Sequence, residues 1–216
     1  MIAFIGGTGI EGRGLALRMS MLGEKCLLGS RDPNHATSIK NDLIEMFDCT
    51  EGLVEGGSNR DVAELCELAF ITLPYSALVP TLTELKDALS GKIVISTVVP
   101  LVFKRSGVDM ANIPEKSAAK EIQKMLPNSY VVSAFQNVSA EELLAQSSSL
   151  DCDVIVCGDD HVSKSRVIEL VNLIAGLRGI DGGGLSNSWM IENITALLVT
   201  LNKIHHTNSS IRISGI

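Results

Sequence analysis

The chain has 216 residues, of which 45% are hydrophobic and 20% are charged, a composition that supports a buried core and excludes intrinsic disorder. The formal net charge is −7 and no run of lysine and arginine occurs, which argues against nucleic acid or an anionic membrane as the main partner. Aromatic residues make up only 4% of the chain, whereas 19 residues are glycine, and this favours an α/β fold of aliphatic strands and tight turns.

Short aliphatic runs recur along the chain, and segments with helical spacing separate them. The runs predicted as strands are residues 2–5, 26–28, 53–54, 69–73, 92–95, 130–134 and 153–156. Because they are short and continuously apolar, they are typical of buried parallel strands. The alternation predicts a Rossmann-type doubly wound parallel sheet, with helices on both faces and ligands at the carboxyl ends of the strands.

The strongest local motif is GGTGIEG at residues 6–12, which directly follows the first predicted strand. It contains G-x-G-x-x-G at Gly7, Gly9 and Gly12, and a helix is predicted to start near Glu11. Gly7 permits the tight turn, Gly9 lets the backbone approach a pyrophosphate, and Gly12 lets helix and strand pack closely. The motif predicts a dinucleotide site; the alternative is a purely structural turn.

The second predicted strand ends in Gly29, Ser30 and Arg31. An NAD-binding fold usually places an acidic residue there for the ribose 2′-hydroxyl. A hydroxyl and a guanidinium instead suit a 2′-phosphate, so NADP is preferred over NAD. Asp32 followed by Pro33 is interpreted as the start of the next helix rather than as the missing acid.

Three later strand ends, at residues 73–76, 96–101 and 133–137, should converge at one edge of the sheet. They contain few titratable side chains. Such a crevice suits two flat rings held face to face and does not suit hydrolysis; the alternative is ordinary packing at strand ends.

The pattern changes after residue 182. A long apolar helix is predicted over residues 186–203, and it is expected to be buried between domains or subunits. We therefore divide the chain into an NADP-binding Rossmann domain at residues 1–140 and a small C-terminal α/β extension at residues 141–216, which includes the long interface helix.

No metal-binding motif is present, and the adjacent His205 and His206 would point to different faces of a helix. Asp159 and Asp160 are interpreted as a helix cap, and Cys152 and Cys157 as core thiols.

The five cysteines include no C-x-x-C pair, and we find no signal cleavage site near Met1. These features, with no apolar run reaching the roughly 18 residues that a membrane span needs, predict a cytoplasmic protein.

With these residues in hand, the chain resembles the NADPH-dependent coenzyme F420 reductases. The shared segments are GGTGIEGRGLALR (6–18), GSRDP (29–33), LPY (73–75), VVPL (98–101), KSAAKEIQ (116–123), CDVIVCGDD (152–160), GLR (176–178) and LSNS (185–188). The resemblance implies hydride transfer between NADP and the deazaflavin coenzyme F420, without a catalytic acid or base, in a homodimer that buries the long helix.

The resemblance also implies site residues. For the pyrophosphate turn these are Gly7, Thr8, Gly9, Ile10, Glu11 and Gly12; for the 2′-phosphate Ser30, Arg31 and His35; for the nicotinamide half Leu73, Tyr75, Val79, Val99, Leu101 and Ala140; and for the deazaflavin Ala134, Gln136 and Val138. The sequence departs from the family at Gln136, Trp189 and His35, where histidine, arginine and lysine are often found.

Two other functions remain open from the sequence. One is NADP-dependent reduction of another small substrate such as a cyclic imine, for which Tyr75 could donate a proton. The other is a non-catalytic NADPH-binding redox sensor.

Overall fold

A computed structural model describes residues 1–47, 51–105, 107–145 and 150–216. Ten strands are assigned: β1 Ile2–Ile5, β2 Cys26–Ser30, β3 Val54–Ser58, β4 Leu68–Ile71, β5 Ile93–Ser96, β6 Leu101–Lys104, β7 Gly107–Met110, β8 Tyr130–Ser133, β9 Cys152–Gly158 and β10 Leu177–Asp181. The α-helices are α1 Ile10–Met21, α2 Pro33–Met46, α3 Asn59–Leu65, α4 Leu78–Leu85, α5 Ala118–Met125, α6 Ala140–Leu144, α7 His161–Leu173 and α8 Ser188–His205.

Eight strands form one sheet in the order β10-β9-β8-β5-β4-β1-β2-β3, and β6 and β7 form a separate antiparallel hairpin. Six neighbouring strands of the sheet run parallel to one another: β8, β5, β4, β1, β2 and β3. This part of the sheet confirms the Rossmann-type prediction. The strands that follow β1 in sequence are added first on one side of it, as β2 and β3, and then on the other side, as β4 and β5. The switch between β1 and β4 is where an α/β fold of this kind opens a crevice for a ligand.

The last two strands differ from the expected parallel arrangement, because β9 pairs antiparallel with β8 and β10 runs parallel to β9. The intervening helix α6 has five residues and rises about 7.5 Å. The connection as a whole spans residues 134–151, which is long enough for a parallel crossover, so its length alone does not determine the direction of β9. The chain here begins β9 near the edge where β8 ended, as shown by the Asn137 side chain donating to the Asp153 carbonyl.

Polar side chains begin most of the helices. Asp32 accepts a hydrogen bond from the Asn34 amide at the start of α2, and Asp160 accepts one from the Ser163 amide at the start of α7, which confirms both predicted caps. The long helix α8 begins and ends two residues later than predicted. Neither the β6-β7 hairpin nor β10 was expected from the sequence.

The core lies on both faces of the sheet, and its cysteines are buried. Phe4 stacks on Phe70 with ring centroids 5.0 Å apart. The thiols of Cys152 and Cys157 are buried, and burial raises the pKa of Cys157 to about 11. This confirms their interpretation as core thiols. No described helix is both long and apolar enough to cross a membrane.

Helix α8 is joined to the rest of the fold by a buried carboxylate. Glu192 accepts hydrogen bonds from the Ser117 hydroxyl at 2.7 Å and the Ala118 amide at 3.0 Å, at the start of α5. Burial raises the pKa of Glu192 to about 7. Since β9 and β10 also extend the common sheet, the two segments on either side of residue 140 share one framework; the division there stays a prediction.

The C-terminal tail is fixed by the fully buried carboxylate of Asp153. Arg178 donates two hydrogen bonds to it, at 2.8 and 2.7 Å, Arg212 donates one at 2.8 Å, and the Ile213 amide donates another. The Arg178 side chain in particular holds the pKa of Asp153 well below its usual range.

We expect Asp153→Asn to lower the free energy of unfolding at pH 7 by about 2–4 kcal/mol, because it removes a buried charge that several donors share. Because the pKa of Asp153 is lower in the folded protein than in the unfolded protein, the charged carboxylate stabilises the fold at any pH above its unfolded-state pKa of about 4. This stabilisation is lost as the pH falls below that value. Urea unfolding at pH 7 and at lower pH measures both effects. Asp151→Asn is the control, since Asp151 is 77% exposed; equal losses for both variants would contradict this assignment.

Candidate functional site

The turn between β1 and α1 is fixed by backbone contacts. The Gly7 amide lies within hydrogen-bonding distance of the carbonyls of Phe4, at 3.0 Å, and Gly29, at 2.9 Å. A Cβ on Gly12 would lie 2.6 Å from the Gly7 Cα, so only glycine lets α1 start this close to the strand. The contacts therefore agree with the tight turn predicted at Gly7 and with the close packing of helix and strand predicted at Gly12.

Gly9 differs from its neighbours, because the protein itself leaves room for a side chain there. A Cβ on Gly9 would meet nothing closer than the Gly6 carbonyl oxygen at 3.9 Å. Gly9 is the N-cap residue of α1, and the first amides of a helix lack intrahelical acceptors. The open space above Gly9 therefore fits an anionic group bound at the start of α1.

A cavity of about 450 Å³ extends from this turn to the end of β2. Its lining residues are Gly6, Thr8, Gly9, Ser30, Arg31, Asp32, His35, Asn59, Thr72, Leu73, Pro74 and Ala77. It brings together six of the predicted site residues: Thr8, Gly9, Ser30, Arg31, His35 and Leu73. The glycine turn and the end of β2 thus face one space, as a dinucleotide requires.

The polar groups at the end of β2 are available to a ligand. The Ser30 hydroxyl oxygen accepts a hydrogen bond from the Asp32 amide at 3.2 Å, which leaves its own hydrogen free to be donated. Arg31 is exposed and, within the described residues, forms no ion pair. A second cavity of about 540 Å³ shares Ser30, Arg31 and Asn59 with the first and continues past Arg60.

A third cavity of about 300 Å³ lies on the other side of the glycine turn. Its lining residues are Ile10, Gln136, Asn137, Val138, Ser139, Ala140, Glu141, Thr195, Leu198, Val199, Asn202, Asn208 and Ser209. The predicted residues Ile10, Gln136, Val138 and Ala140 meet here. Helix α8 closes this cavity, and its Thr195 hydroxyl donates to the Gln136 carbonyl at 3.0 Å.

The Gln136 side chain is held with one polar atom unused. Its Nε2 donates to the Ser96 carbonyl at 3.1 Å, whereas its Oε1 is buried without a hydrogen-bond partner among the described residues. A buried acceptor without a partner is unfavourable in the protein alone. It fits a ligand that brings a hydrogen-bond donor.

Several other predicted residues lie outside these cavities. The Tyr75 hydroxyl donates to Glu121 Oε2 at 2.7 Å, and burial with this carboxylate raises the pKa of Tyr75 to about 12. Val79 is 62% exposed, and Ala134 is fully buried in the core. Val99 and Leu101 lie at the start of the hairpin, where the Leu101 amide donates to the Val99 carbonyl. Their contact with a cofactor stays a prediction.

Glu11, in the first turn of α1, is an acid with an unusual environment. Burial raises its pKa to about 8, although a hydrogen bond with the Thr97 side chain partly offsets this effect. The protonated carboxyl group is therefore the main form at pH 7. An ionised Glu11 would place a negative charge at the same helix start that is open to an anion.

We expect NADPH affinity to fall as the pH rises above about 8, where Glu11 becomes ionised, by up to tenfold for each further pH unit. The 2′-phosphate does not contribute, because its second ionisation has a pKa near 6. Titration of the bound NADPH fluorescence between pH 7 and 9.5 measures this. Glu11→Gln should bind with little pH dependence; equal slopes for both proteins would contradict the assignment.

Sequence reasoning missed some cavity residues. Asn59, at the start of α3, and Thr72 and Ala77, on either side of the predicted strand end at residues 73–76, line the dinucleotide-side cavity. The run of small and polar residues that ends β3 was a usable signal, because strand ends on this edge of the sheet face the ligand. Within the described residues, no group of three or more His, Cys, Asp or Glu side chains is placed to hold a metal ion.

The comparison with known proteins agrees with this geometry. Residues 1–100 match the family model described as NADP oxidoreductase, coenzyme F420-dependent. The F420-dependent NADP reductase of Methanothermobacter marburgensis is 37% identical over 220 residues, covering 100% of this chain and 98% of the relative. The protein of the same name from Methanocaldococcus jannaschii is 39% identical, with the same coverage.

The chain belongs to the F420-dependent NADP reductase family. This confirms the resemblance drawn from the sequence motifs, and it favours neither an imine reductase nor a redox sensor. A crystal structure from Arthrobacter sp. FB24, assigned as an F420-dependent NADP-reductase, aligns with a TM-score of 0.85 and 24% identity over 99% of both chains. At that identity the likeness concerns the fold, and it includes the C-terminal region with α8.

Proposed function

We propose that this protein transfers a hydride between NADP(H) and coenzyme F420. The observation that carries the proposal is the arrangement of two cavities around one turn: Gly9 lines the first and its neighbour Ile10 lines the other. With its diphosphate at this turn and its 2′-phosphate at the end of β2, NADP would extend its nicotinamide past the turn toward the other cavity, where the second ligand would bind. Membership of the family identifies the two ligands as NADP and F420.

The first cavity suits NADP. The start of α1 would hold the diphosphate by its backbone amides, with Thr8, Gly9, Ile10 and Glu11 in the turn. Ser30 and Arg31 would hold the 2′-phosphate, because the free hydroxyl hydrogen and the unpaired guanidinium match its oxygens. His35 lines the same cavity and would lie beside them.

The third cavity, on the other side of the turn, suits the flat deazaflavin ring. Its apolar walls come from Val138, Ala140 and Leu198, and the unpartnered Gln136 Oε1 would accept a hydrogen bond from the ligand. NADPH and oxidised F420 with one proton give NADP⁺ and reduced F420. The chemistry belongs to the two cofactors, so the residues of this chain contribute proximity, orientation and exclusion of water.

No side chain is assigned as a catalytic acid or base. Tyr75 is the residue that imine reduction would need as a proton donor, yet its hydroxyl is already donated to Glu121. The raised pKa of Tyr75, about 12, also makes it a weaker acid. The imine alternative therefore has no supporting group at this position.

The direct test mixes the purified protein with NADPH and oxidised F420 and follows the loss of the deazaflavin's visible absorbance. We expect turnover with NADPH and much slower turnover with NADH. Cyclic imine in place of F420 is expected to give no oxidation of NADPH. Intact NADPH binding without any reduction of F420 would rule out the proposed reaction.

A homodimer that uses the exposed side of α8 is also proposed. Trp189, Leu197 and Ile204 are 45%, 56% and 63% exposed and lie along one side of the helix. The neighbouring hairpin adds Phe103, which is 68% exposed and contacts Lys203. Exposed apolar side chains grouped on one side of a helix are typical of a protein interface.

We expect the wild type to be a dimer at micromolar concentration and Leu197→Glu to be largely monomeric, because the variant places a charge in the apolar interface. Light scattering coupled to size-exclusion chromatography measures the mass. Val162→Glu is the control, since Val162 is 77% exposed and belongs to α7, outside the proposed interface. A monomeric wild type, or a dimeric Leu197→Glu, would contradict the proposal.

A cytoplasmic location is proposed for the same protein. Cys26, Cys66, Cys152 and Cys157 are unpaired and buried. Free thiols persist in a reducing compartment, which supports the proposal.

A further inference from the structure

Asn59 lies where the two cavities on the NADP side meet. Both cavities are lined by Asn59 together with Ser30 and Arg31. The Asn59 residue is 7% exposed, so its carboxamide is held inside the protein rather than in solvent. It is the first residue of α3, directly after the N-cap Ser58.

One end of the Asn59 carboxamide is fixed by the glycine turn. Its Oδ1 accepts a hydrogen bond from the Gly6 amide at 3.0 Å, across 53 residues of sequence. Because a backbone amide can only donate, this contact settles which end of the side chain is oxygen. The same oxygen lies close to β2, since a Cβ on Gly29 would come within 2.7 Å of it. A side chain at position 29 would therefore collide with Asn59 and also with Val62.

The other end of the carboxamide has no protein partner. Within the described parts of the chain, the hydrogen bond of the Asn59 side chain is the one that its Oδ1 accepts, and its Nδ2 donates to no protein acceptor. With Oδ1 engaged by Gly6, the side chain offers only N–H donors to a ligand. An amide donor without a protein partner, on a residue that lines both cavities beside a free hydroxyl and an unpaired guanidinium, matches an anion with several oxygen atoms.

We propose that Asn59 is a positioning and specificity-determining residue for NADP: Oδ1 holds the glycine turn, and Nδ2 donates to the 2′-phosphate that Ser30 and Arg31 also bind. This rests on the proposed NADP site. Arg31 supplies charge, while Asn59 supplies a fixed, neutral donor. Asn59 therefore couples the shape of the diphosphate turn to recognition of the 2′-phosphate.

Asn59→Asp separates the two roles. The carboxylate still accepts the hydrogen bond from Gly6, but it lacks the amide donor and places a negative charge against the 2′-phosphate. We expect the dissociation constant for NADPH to rise about 10- to 100-fold, the effect of losing a charge-assisted hydrogen bond. NADH lacks the 2′-phosphate, so its dissociation constant should stay within about threefold of the wild-type value.

Asn172→Asp is a matched control. Asn172 Oδ1 accepts a hydrogen bond from the Gly179 amide at 2.8 Å, which is the same contact in a part of the fold that does not line the NADP cavities. This variant should leave binding of both nucleotides unchanged. Thermal melting of both variants checks that the fold is retained.

Binding is measured by fluorescence titration with NADPH and NADH, without F420, so the result does not depend on turnover. Selective loss of NADPH binding in Asn59→Asp supports the inference. Equal weakening of NADPH and NADH, or no change in either, would overturn it. A wild-type protein that binds no NADPH would instead refute the proposed NADP site itself.

Discussion

Arg31→Ala is expected to raise the dissociation constant for NADPH about 10- to 100-fold, since the variant loses a charge-assisted pair with the 2′-phosphate worth about 1.5–3 kcal/mol. Arg31 lines both NADP-side cavities and, in the described chain, has no carboxylate to neutralise it. The same change should raise the Michaelis constant for NADPH by a similar factor and leave binding of NADH nearly unchanged.

Arg166→Ala is the control for this experiment. Arg166 is 56% exposed on α7 and pairs with Glu169, away from the cavities, so its loss should not affect either nucleotide. If Arg31→Ala binds NADPH as tightly as the wild type does, then Arg31 points away from the cofactor and the assignment of the 2′-phosphate site is wrong.

Gly9→Ala is expected to weaken NADPH and NADH alike while leaving the fold intact. The added methyl group meets no protein atom closer than 3.9 Å, but it enters the space that the diphosphate needs. Overpacking of this kind costs about 1–3 kcal/mol, which corresponds to about 5- to 150-fold in each dissociation constant. Fluorescence titration measures binding, and thermal melting measures stability.

The control for Gly9→Ala is Gly57→Ala in β3. A Cβ on Gly57 would be 3.4 Å from the nearest atom, an ordinary contact, and Gly57 does not line the NADP-side cavities. This variant should bind both nucleotides normally. Arg31→Ala and Gly9→Ala are therefore expected to differ: Arg31→Ala weakens only NADPH, which carries the 2′-phosphate, whereas Gly9→Ala weakens both NADPH and NADH. A Gly9→Ala protein with unchanged affinity would place the diphosphate elsewhere.

The parts of the site that the sequence predicted are those that one local motif controls. The glycine turn depends on the contact between Gly7 and Gly12, only five positions apart, and Ser30 and Arg31 follow directly from the end of a recognisable strand. In each case neighbouring residues determine both the backbone path and the ligand contact, so the pattern of residue types is informative.

The parts that were missed depend on distant segments. Asn59 reaches Gly6 across 53 residues, and Thr195 reaches the Gln136 carbonyl across 59. Neither residue stands in a motif of its own. Similarly, β9 pairs antiparallel with β8, and the sequence did not predict this because local apolar runs do not reveal strand direction.

Placement of the second cofactor rests on the third cavity and on Gln136. The sequence indicated this region through the strand end at residues 133–137, although it could not show that α8 closes it. The burial of Ala134 shows that the residues after β8 divide between core and cavity. Periodicity alone does not distinguish these two environments.

In the proposed reaction the nicotinamide extends past the glycine turn, lies against the deazaflavin in a fixed orientation and exchanges a hydride with it directly. Single-turnover reduction of F420 with NADPH deuterated separately on each face of C4 tests it most directly. We predict that one labelled form transfers its deuterium completely to C5 of reduced F420, while the other retains it in NADP⁺, with none released to water. Deuterium in the solvent, or transfer from both faces, would contradict the account.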